Sequence, residues 1–392
     1  MTDILIAGGG LAGSAAAIHL GKLGLSVELF ERGRFPKEKA CGEGLMPAGV
    51  AALERLGLDS STGAPFHGIR YHLGRRIAEG RFPESDGFPG SGRGLRRRQL
   101  DRALFQLAAQ TPNVKVHAGA LVQTPWVEKG RIAGLIVNGE LYRGGLVVAA
   151  DGAQSRLRHL LRLDLPPRRK RVGVCMHFRL APGSAPTQIV DVYLGRGYEL
   201  YATPLPNHEL VVAGAARTTC IEGSLEEQFR RWCSTHLAER LEGAEQISDL
   251  LAISPVSGRA RRRFLPGFVL LGDAAGFTDP ITGGGMTQAL LTAELFANHA
   301  TRRAPTADHW LAAFDREREA LLQDYRRLTA LLLWLALNPV LFGVALAGMR
   351  RLPPLFTHLL GVAGGTRRLW SADLRHHIPT LALRHDLPAE TP

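Results

Sequence analysis

The amino-terminal residues carry the pattern that most restricts the fold of this chain. A short apolar run, Ile4–Ala7, predicts a buried parallel strand, and it leads directly into the motif Gly8-x-Gly10-x-x-Gly13. The small residues of Ser14–Leu20 predict a helix packed closely on that strand. In such a turn the first glycine permits a tight bend, the second lets a pyrophosphate approach the backbone, and the third lets helix and strand touch. The motif therefore predicts a dinucleotide site at the helix start, which also holds Leu11 and Ala12.

An acidic residue follows at the distance that such a site requires. The strand predicted over Ser26–Phe30 ends in Glu31, 18 residues after Gly13. A carboxylate at this position is expected to accept hydrogen bonds from a ribose. It favours FAD or NAD over NADP, because it would repel a 2′-phosphate. Arg32, the next residue, is predicted to belong to the same site.

Length and cysteine content limit the class of protein. A chain of 392 residues is long enough for two or three domains. The four cysteines are scattered and form no C-x-x-C pair, which argues against a zinc site and against a disulfide framework. The first predicted strand begins at residue 3, so we expect no signal peptide and a cytoplasmic protein.

The net charge of +12 has two interpretations. Only six of the 48 basic residues are lysine, and such an arginine bias is typical of a particular genome composition. The alternative is attraction to an anionic membrane surface. We expect no nucleic-acid partner, because the chain has neither an aromatic-rich basic module nor a helix-turn-helix pattern.

Two more apolar runs end in acidic residues. Leu146–Ala150 leads into Asp151-Gly152-x-x-Ser155-x-x-Arg158, and Phe268–Leu271 leads into Gly272-Asp273. The second segment continues through Pro280 to the run Gly283-Gly284-Gly285-Met286, where a helix is predicted to start. In open α/β sheets, ligands bind at the carboxyl ends of strands. Taken alone Asp151-Gly152 could be a simple turn, but the second segment predicts another cradle for a phosphate or a polar ring edge.

These three motifs, in this order, resemble those of the FAD-dependent aromatic hydroxylases and their relatives, over residues 1 to about 300. The resemblance implies a p-hydroxybenzoate-hydroxylase-like α/β fold with noncovalent FAD. Such a fold has a Rossmann-like FAD-binding domain, an inserted β-sheet substrate domain and a helical C-terminal region. It implies that Asp273 binds the ribityl chain. Residues 283–286 would lie along the isoalloxazine and stabilise negative charge on the reduced flavin.

The resemblance also assigns further residues to the cofactor. Arg97, in an R-x-x-L-D pattern, is similar to the flavin-contacting arginine of the family, and Asp151 and Arg158 would help to hold FAD and admit the nicotinamide. The remaining cofactor residues that it implies are Lys39, Cys41, Gly42 and Val122. Because no second GxGxxG motif is present, NAD(P)H is expected to act as a transient electron donor.

The order of the predicted elements indicates a discontinuous domain arrangement. The FAD-binding domain is predicted over residues 1–70, 93–165 and 256–300. Residues 71–92 and 166–255 are predicted to form the substrate domain, and residues 301–392 a C-terminal helical region.

Two branches of this superfamily fit the sequence. The first is a monooxygenase that uses NAD(P)H and O2 to hydroxylate a lipophilic aromatic or polyketide-derived substrate through a flavin C4a-hydroperoxide. The second is a geranylgeranyl reductase, which the loop Lys39–Leu45 and the segment Gly276–Gly283 resemble. Against the second, Tyr198–Pro206 lacks the tryptophan of the Y-x-W-x-F-P signature. A non-enzymatic FAD module and an NAD-dependent dehydrogenase remain further alternatives, whereas the W-x-W-x-I-P signature of the halogenases is absent.

No general base is identified by the sequence. Five candidates fall in the predicted substrate sheet and are interpreted as packing residues: His72, His177, Tyr193, Tyr198 and Tyr201. Cys41 is interpreted as a small residue beside the flavin and not as a nucleophile.

The C-terminal region contains a long apolar stretch, Leu328–Leu337 and Val340–Met349, between the pairs Arg326-Arg327 and Arg350-Arg351. Asn338-Pro339 interrupts it, which predicts two short helices and not a membrane span. The helices are interpreted either as a lid over the active site or as a peripheral contact with a membrane surface, with Trp334 at the interface. Both alternatives suggest a small lipophilic substrate.

Overall fold

The computed structural model describes residues 2–85, 87–167, 169–184, 187–300 and 308–370. The helices are α1 (Leu11–Lys22), α2 (Pro47–Leu56), α3 (Arg97–Gln110), α4 (Arg156–Leu160), α5 (Leu225–Leu237), α6 (Gly285–Ala300), α7 (Leu311–Leu335), α8 (Pro339–Arg351) and α9 (Pro353–Gly364). The strands are β1 (Thr2–Ala7), β2 (Val27–Glu31), β3 (Gly44–Leu45), β4 (Ala64–Phe66), β5 (Gly68–Leu73), β6 (Arg76–Arg81), β7 (Gly92–Gly94), β8 (Val114–Ala118), β9 (Val122–Glu128), β10 (Arg131–Val137), β11 (Glu140–Ala149), β12 (Asp164–Leu165), β13 (Arg171–Arg179), β14 (Val190–Gly195), β15 (Tyr198–Leu205), β16 (Glu209–Arg217), β17 (Glu245–Gln246), β18 (Leu251–Ile253), β19 (Gly258–Ala260), β20 (Phe264–Leu265), β21 (Phe268–Leu270) and β22 (Gly276–Phe277).

The first large sheet has the order β20-β21-β11-β1-β2-β8. From β21 to β8 its strands are parallel, and β10 pairs antiparallel with the outer part of β11 and with β9. The central strand β1 is buried on both faces, which explains its uninterrupted apolar sequence. Alanines of α1 pack on one face, and their small size lets α6 approach as well.

The second large sheet has the order β17-β13-β16-β15-β14-β5-β6, with β18 paired to β13. It is antiparallel except for the parallel pair of β14 and β5. Its alternating apolar residues pack against α5 at one end and against α8 and α9 at the other. Strand β5 begins at Gly68, three residues before the predicted start of the substrate domain at residue 71. The domain boundaries otherwise stay a prediction.

Most predicted elements are present, with shifts at their ends. The sequence predicts a strand over Ala120–Val122, but the strand starts only at Val122, because the preceding residues form the turn from β8. The sequence also predicts a helix over Leu225–Leu241. This helix ends at Leu237, and a hydrogen bond from the Leu241 amide to the Leu237 carbonyl closes a turn after it. The predicted C-terminal helical region contains α7, α8 and α9, whereas residues 301–307 and 371–392 lie outside the described residues.

The apolar C-terminal stretch is broken where the sequence predicts it. Helix α7 ends at Leu335, and α8 begins at Pro339 with Asn338 as its N-cap. The Asn338 side chain accepts hydrogen bonds from the amides of Val340 and Leu341, which fixes the break. Within the described part of the chain, no helix is long and apolar enough to cross a bilayer.

Candidate functional site: three strand ends around one cavity

The turn between β1 and α1 is shaped by its glycines. Gly8 has φ +105°, and a Cβ there would lie 2.4 Å from the Ala150 carbonyl oxygen. A Cβ on Gly13 would lie 1.9 Å from the Gly8 carbonyl oxygen, so the helix can meet the strand only through glycine. At Gly10 a Cβ would meet no heavy atom within 4 Å. No side chain caps α1, so its first amides face this open space.

Glu31 stands at the end of β2, beside the glycine turn. Its carboxylate accepts hydrogen bonds from the amides of Gly9 and Gly33, at 2.9 and 2.8 Å, and pairs with Lys37 at 2.7 Å. These contacts hold a buried negative charge next to the predicted nucleotide turn. Direct contact of Glu31, of the exposed Arg32 and of the half-buried Val122 with a cofactor stays a prediction.

The two other acidic motifs are joined by one guanidinium. Arg158 donates to the carbonyl of Ala153 at 2.7 Å and to that of Ala274 at 3.0 Å, and it pairs with Asp164 at 2.5 Å. The side chain therefore ties the turn after β11 to the turn after β21. These acceptors take up the hydrogen-bond donors of the Arg158 guanidinium, so the side chain positions both turns. Its predicted role in cofactor binding would then be indirect.

Asp151 has one oxygen in use and one without a partner. Its Oδ2 accepts from the amide of Leu157 at 3.2 Å, whereas Oδ1 is buried and has no hydrogen-bond partner among the described residues. Burial raises the pKa of this carboxyl above its usual value. An unsatisfied oxygen at a strand end is a ready acceptor for a ligand hydroxyl.

The three strand ends border one cavity of about 250 Å³. Fourteen of the predicted cofactor residues line it: Gly10, Leu11, Ala12, Lys39, Cys41, Gly42, Arg97, Gly152, Gly272, Asp273, Pro280, Gly283, Gly285 and Met286. The other eight lie outside its walls: Gly8, Gly13, Glu31, Arg32, Val122, Asp151, Arg158 and Gly284. This space is called the main cavity below.

The main cavity has two chemically different ends. Backbone and polar groups of the three motifs form one end. Side chains from the second sheet and its neighbours form the other, where Phe66, Ile69, Val190 and Val192 supply an apolar wall. Such a space suits an elongated ligand with a polar part and a hydrocarbon part.

The loop before β3, residues 39–43, also lines the main cavity. Arg97, 5% exposed, is held by two hydrogen bonds to Asp101, at 2.9 and 2.8 Å. Its amide donates to Glu43, whose other carboxylate oxygen lies 3.0 Å from Nε2 of His177. The sequence did not single out Glu43. A left-handed φ of +54° at a buried glutamate is the structural sign of its special position.

Comparison with known proteins identifies the family. A family model described as "FAD binding domain" matches residues 1–324. This chain is an FAD-binding flavoprotein. FAD is therefore its cofactor. Members of this family are enzymes that catalyse oxidation and reduction.

Three curated relatives are similar to most of this flavoprotein. Menaquinone reductase of Mycolicibacterium smegmatis is 28% identical over 314 residues, 76% of each chain. Digeranylgeranylglycerophospholipid reductase 2 of Methanothermobacter thermautotrophicus is 29% identical over 314 residues, 75% of this chain and 76% of that protein. Squalene monooxygenase SE2 of Panax ginseng is 27% identical over 320 residues, 74% of this chain and 56% of that protein.

Solved structures agree on the fold. A flavoprotein/dehydrogenase from Cytophaga hutchinsonii superposes with a TM-score of 0.81 at 22% identity, over 93% of each chain. The p-hydroxybenzoate-hydroxylase-like architecture expected from the sequence is thereby confirmed. At this identity the likeness extends to the fold alone.

The residues at the polar end of the main cavity fit FAD. The open space at Gly10 is one that a Cβ would fill, and the uncapped amides of α1 suit a pyrophosphate. The unsatisfied oxygen of Asp151 and the cavity-lining Asp273 supply acceptors for hydroxyl groups. At Gly285 a Cβ would also meet nothing within 4 Å, which leaves room at the start of α6 for a flat ring.

A group of buried charges lies in the wall of the main cavity, which its member Asp279 lines. Nη1 of Arg171 contacts both oxygens of Asp279 at 2.6 Å, and Nη2 contacts both oxygens of Glu199 at 2.5 Å. All three residues are at most 5% exposed. The hydroxyl of Tyr201 donates to Glu199 at 3.1 Å. We call Arg171, Glu199 and Asp279 the strand-side cluster. It was not predicted from the sequence.

A second group of charges lies on α7 and on the segment between β19 and β20. Arg318 is 1% exposed and lines the main cavity. It contacts Glu319 at 3.2 Å and the Gly276 carbonyl at 3.3 Å, and its Nε has no partner among the described residues. Arg263 pairs with Asp315 at 2.5 Å, and Arg326 pairs with Glu319. We call Arg263, Asp315, Arg318, Glu319 and Arg326 the helix-side cluster.

The five candidate bases take different places. Tyr201 lines the main cavity, and His177 lies behind it on Glu43. His72 stacks on Tyr193 and bonds to Asp191, whereas Tyr198 stacks on Trp232. His72, Tyr193 and Tyr198 do not line the main cavity. Of the two thiols that meet near the loop, Cys175 is buried, which raises its pKa to about 12, and Cys41 faces the cavity.

Proposed function

We propose that this flavoprotein is an oxidoreductase that reduces carbon–carbon double bonds in the isoprenoid chain of a lipid. The supporting observation is the form of the main cavity, in which the FAD motifs open directly towards the apolar wall of Phe66, Ile69 and Val192. The side chains of that wall have no hydrogen-bonding groups, so they suit a hydrocarbon chain and shield it from water. All three relatives are named after an isoprenoid compound, which supports the choice of chain.

In this proposal, some residues of the main cavity would bind the cofactor and others would contact the substrate. Bound FAD supplies hydride transfer. The amides of α1 and the carboxylates of Asp151 and Asp273 would hold the cofactor, and Arg97 would stand at the junction with the substrate. The loop Lys39–Leu45, which resembles that of geranylgeranyl reductases, lies on the same wall. NAD(P)H, the typical donor of the family, would deliver electrons transiently.

Hydroxylation of a lipophilic aromatic or polyketide-derived substrate is the second candidate. Its support is the segment Tyr198–Pro206, which lacks the tryptophan of the reductase signature. The same cavity and cofactor would serve, with O2 as the co-substrate.

One experiment separates the two candidates. The FAD-loaded protein is reduced by NADH, NADPH or dithionite without oxygen and given a geranylgeranyl lipid, a menaquinone or a phenol. The proposal expects a product heavier by two hydrogens under anaerobic conditions. A product that gains one oxygen, and only after air is admitted, supports the monooxygenase. No conversion of any isoprenoid substrate contradicts the proposal.

A matched pair of glycine variants tests the assignment of the cofactor site. Gly10→Val would fill the space left for the pyrophosphate and is expected to abolish FAD binding. Gly348→Val in α8, where a Cβ also meets nothing within 4 Å, should retain FAD. Flavin absorbance of the purified variants gives the result, and retained flavin in Gly10→Val would contradict the assignment.

We also propose that the corner of α7 and α8 contacts a membrane surface. Side chains here are apolar yet open to solvent: Trp334 is 55% exposed, Val340 70% and Val344 63%. Of the four flanking arginines, Arg326 pairs with Glu319 and Arg327 with Asp324, whereas Arg350 and Arg351 have no ion pair with a described residue. Apolar residues beside free guanidiniums are typical of interfacial helices.

Vesicle binding tests this surface. The protein should sediment with anionic vesicles and be released by salt, because lipid attraction is screened. Changing Arg350 and Arg351 to Gln should weaken binding by roughly 1 kcal/mol per charge. The matched control is Arg179→Gln, an exposed arginine of β13 that pairs with Glu245. Absence of binding at low salt would favour the lid interpretation.

A further inference from the structure

We propose that the strand-side cluster stores one proton for the main cavity and that Tyr201 passes it on. The proposal rests on the proposed function only in taking the main cavity as the reaction site. Both candidate reactions move a proton at the substrate, and the apolar wall keeps bulk water away from it. A store within the wall would meet this need.

The charge count of the cluster is the first observation. Two carboxylates, Glu199 and Asp279, share the single guanidinium of Arg171. With both ionised, the buried cluster carries one unbalanced negative charge, and one bound proton makes it neutral. A low-dielectric interior favours the neutral form. Burial accordingly raises the pKa of Glu199 to about 7, against the lowering effect of Arg171.

Within the described residues, the charged and titratable groups near Glu199 come from four parts of the fold. Arg171 comes from β13, Asp279 from the loop before α6, and Tyr201 from the same strand. Tyr71 of β5 is the next titratable neighbour. Burial raises the pKa of Tyr201 well above 10 and that of Tyr71 to about 12, so both stay neutral while Glu199 titrates.

The position of the cluster between two cavities is the second observation. Asp279 and Tyr201 line the main cavity. Arg171 and Glu199 line a smaller cavity at the corner of α7 and α8. The exposed residues Arg169 and Arg217 also border the smaller cavity, so it reaches the surface. The cluster therefore crosses the wall between solvent and substrate.

The proton steps balance within these residues. Glu199 as the carboxylic acid gives its proton to the Tyr201 oxygen, while the Tyr201 hydroxyl gives its own proton to the acceptor in the main cavity. Glu199 is left as the carboxylate and Tyr201 is again neutral. A proton from the smaller cavity then restores the acid.

The neighbouring buried pair does not fit this role. Glu43 and His177 are one acid and one base, 3.0 Å apart, so they balance each other. Glu43 also accepts a hydrogen bond from the Arg97 amide at 2.7 Å, so both of its carboxylate oxygens have partners. Of these two buried groups, only the strand-side cluster therefore carries excess negative charge.

Infrared titration of the FAD-loaded protein in the absence of substrate tests the store. A carboxylic acid band should disappear as pH rises through about 7, and 13C-labelled glutamate should shift it in the unmutated protein. Glu199→Gln should remove the band, whereas Glu245→Gln, an exposed glutamate on β17, should keep it. A band that is missing, or that 13C-glutamate does not shift, overturns the store.

Kinetics with a converted substrate tests the delivery. Tyr201→Phe keeps the infrared band but removes the hydroxyl, so we expect turnover to fall about a hundredfold and the pH dependence near 7 to vanish. Flavin reduction by the donor should keep its rate. A Tyr201→Phe variant with the turnover and pH profile of the unmutated protein overturns the relay. Failure of the proposed function is distinguishable, because the infrared band requires no substrate.

Discussion

The strand-side and helix-side clusters flank the same cavity with opposite excess charge. The strand-side cluster has two carboxylates for one guanidinium, whereas the helix-side cluster has three guanidiniums for two carboxylates. Burial acts on the excess group in each. It raises the pKa of Glu199 to about 7 and lowers the pKa of Arg318 to about 10.

The difference shows that the sign of the excess charge decides which cluster titrates in the physiological range, because burial shifts the pKa of the excess group towards neutrality in both. A carboxyl raised to about 7 exchanges its proton near neutral pH. A guanidinium lowered to about 10 stays charged there. The helix-side cluster therefore offers a permanent positive charge to the cavity, and the strand-side cluster a variable negative one.

Removing Arg171 should have the largest effect on stability. Arg171→Met leaves two buried carboxylates without a cation and should cost about 3–5 kcal/mol at pH 8. The loss should be smaller at pH 5, where the carboxyls can take up protons. Urea unfolding at both values measures it. Arg179→Met, on an exposed arginine of the same strand, should change stability by about 0.5 kcal/mol or less.

Glu199→Gln should remove a pH dependence. The carboxyl holds its proton up to about pH 7 in the folded protein and releases it near its ordinary value of 4.5 when unfolded. The contribution of this carboxyl to the free energy of unfolding is thus fully present below pH 4.5 and is lost as pH rises through 7. The total loss should be about 3 kcal/mol. Unfolding free energies between pH 5 and 8 should fall in the unmutated protein and stay flatter in the variant. Equal slopes would contradict the assignment.

Arg318→Met should cost less than Arg171→Met. In this variant Glu319 keeps Arg326 and Arg263 as partners. The substitution also removes a buried guanidinium whose Nε lacks an acceptor, and with it the cost of desolvating that charge. We expect a change of no more than about 2 kcal/mol. A loss as large as that of Arg171→Met at pH 8 would break the comparison between the two clusters.

Tyr201→Phe should have the smallest effect on stability. It removes one hydrogen bond to Glu199, worth about 1 kcal/mol, with a larger loss at pH 8, where the acceptor is ionised. A double-mutant cycle with Glu199→Gln measures the coupling by urea unfolding. Additive effects of the two changes would mean that the hydrogen bond contributes nothing.

The polar half of the site could be predicted because its signals are local. The glycines of the first turn, the acids at strand ends and the break at Asn338-Pro339 each act on backbone within a few residues of themselves. The apolar run of β1 and the small residues of α1 likewise predict their own burial. Fourteen of the predicted cofactor residues consequently line one cavity.

The charged half could not be predicted because its partners are distant in sequence. Arg171 meets Asp279 across 108 residues, and Glu43 meets His177 across 134. Such pairs are set by how the second sheet closes on the loop before α6, and one sequence contains no signal for that contact. For the same reason, Glu43 was not predicted as a site residue, and Tyr201 was interpreted as a packing residue.

Helix α8 has no polar residue between Pro339 and Met349, and it buries only one face on the second sheet, through Phe342, Leu346 and Met349. If the other face rests on lipid, enzyme and substrate meet in two dimensions. The turnover rate would then follow the mole fraction of substrate in the membrane and not its concentration in the whole sample. Diluting the substrate with inert lipid should slow the reaction, even when the amounts of enzyme and substrate stay the same.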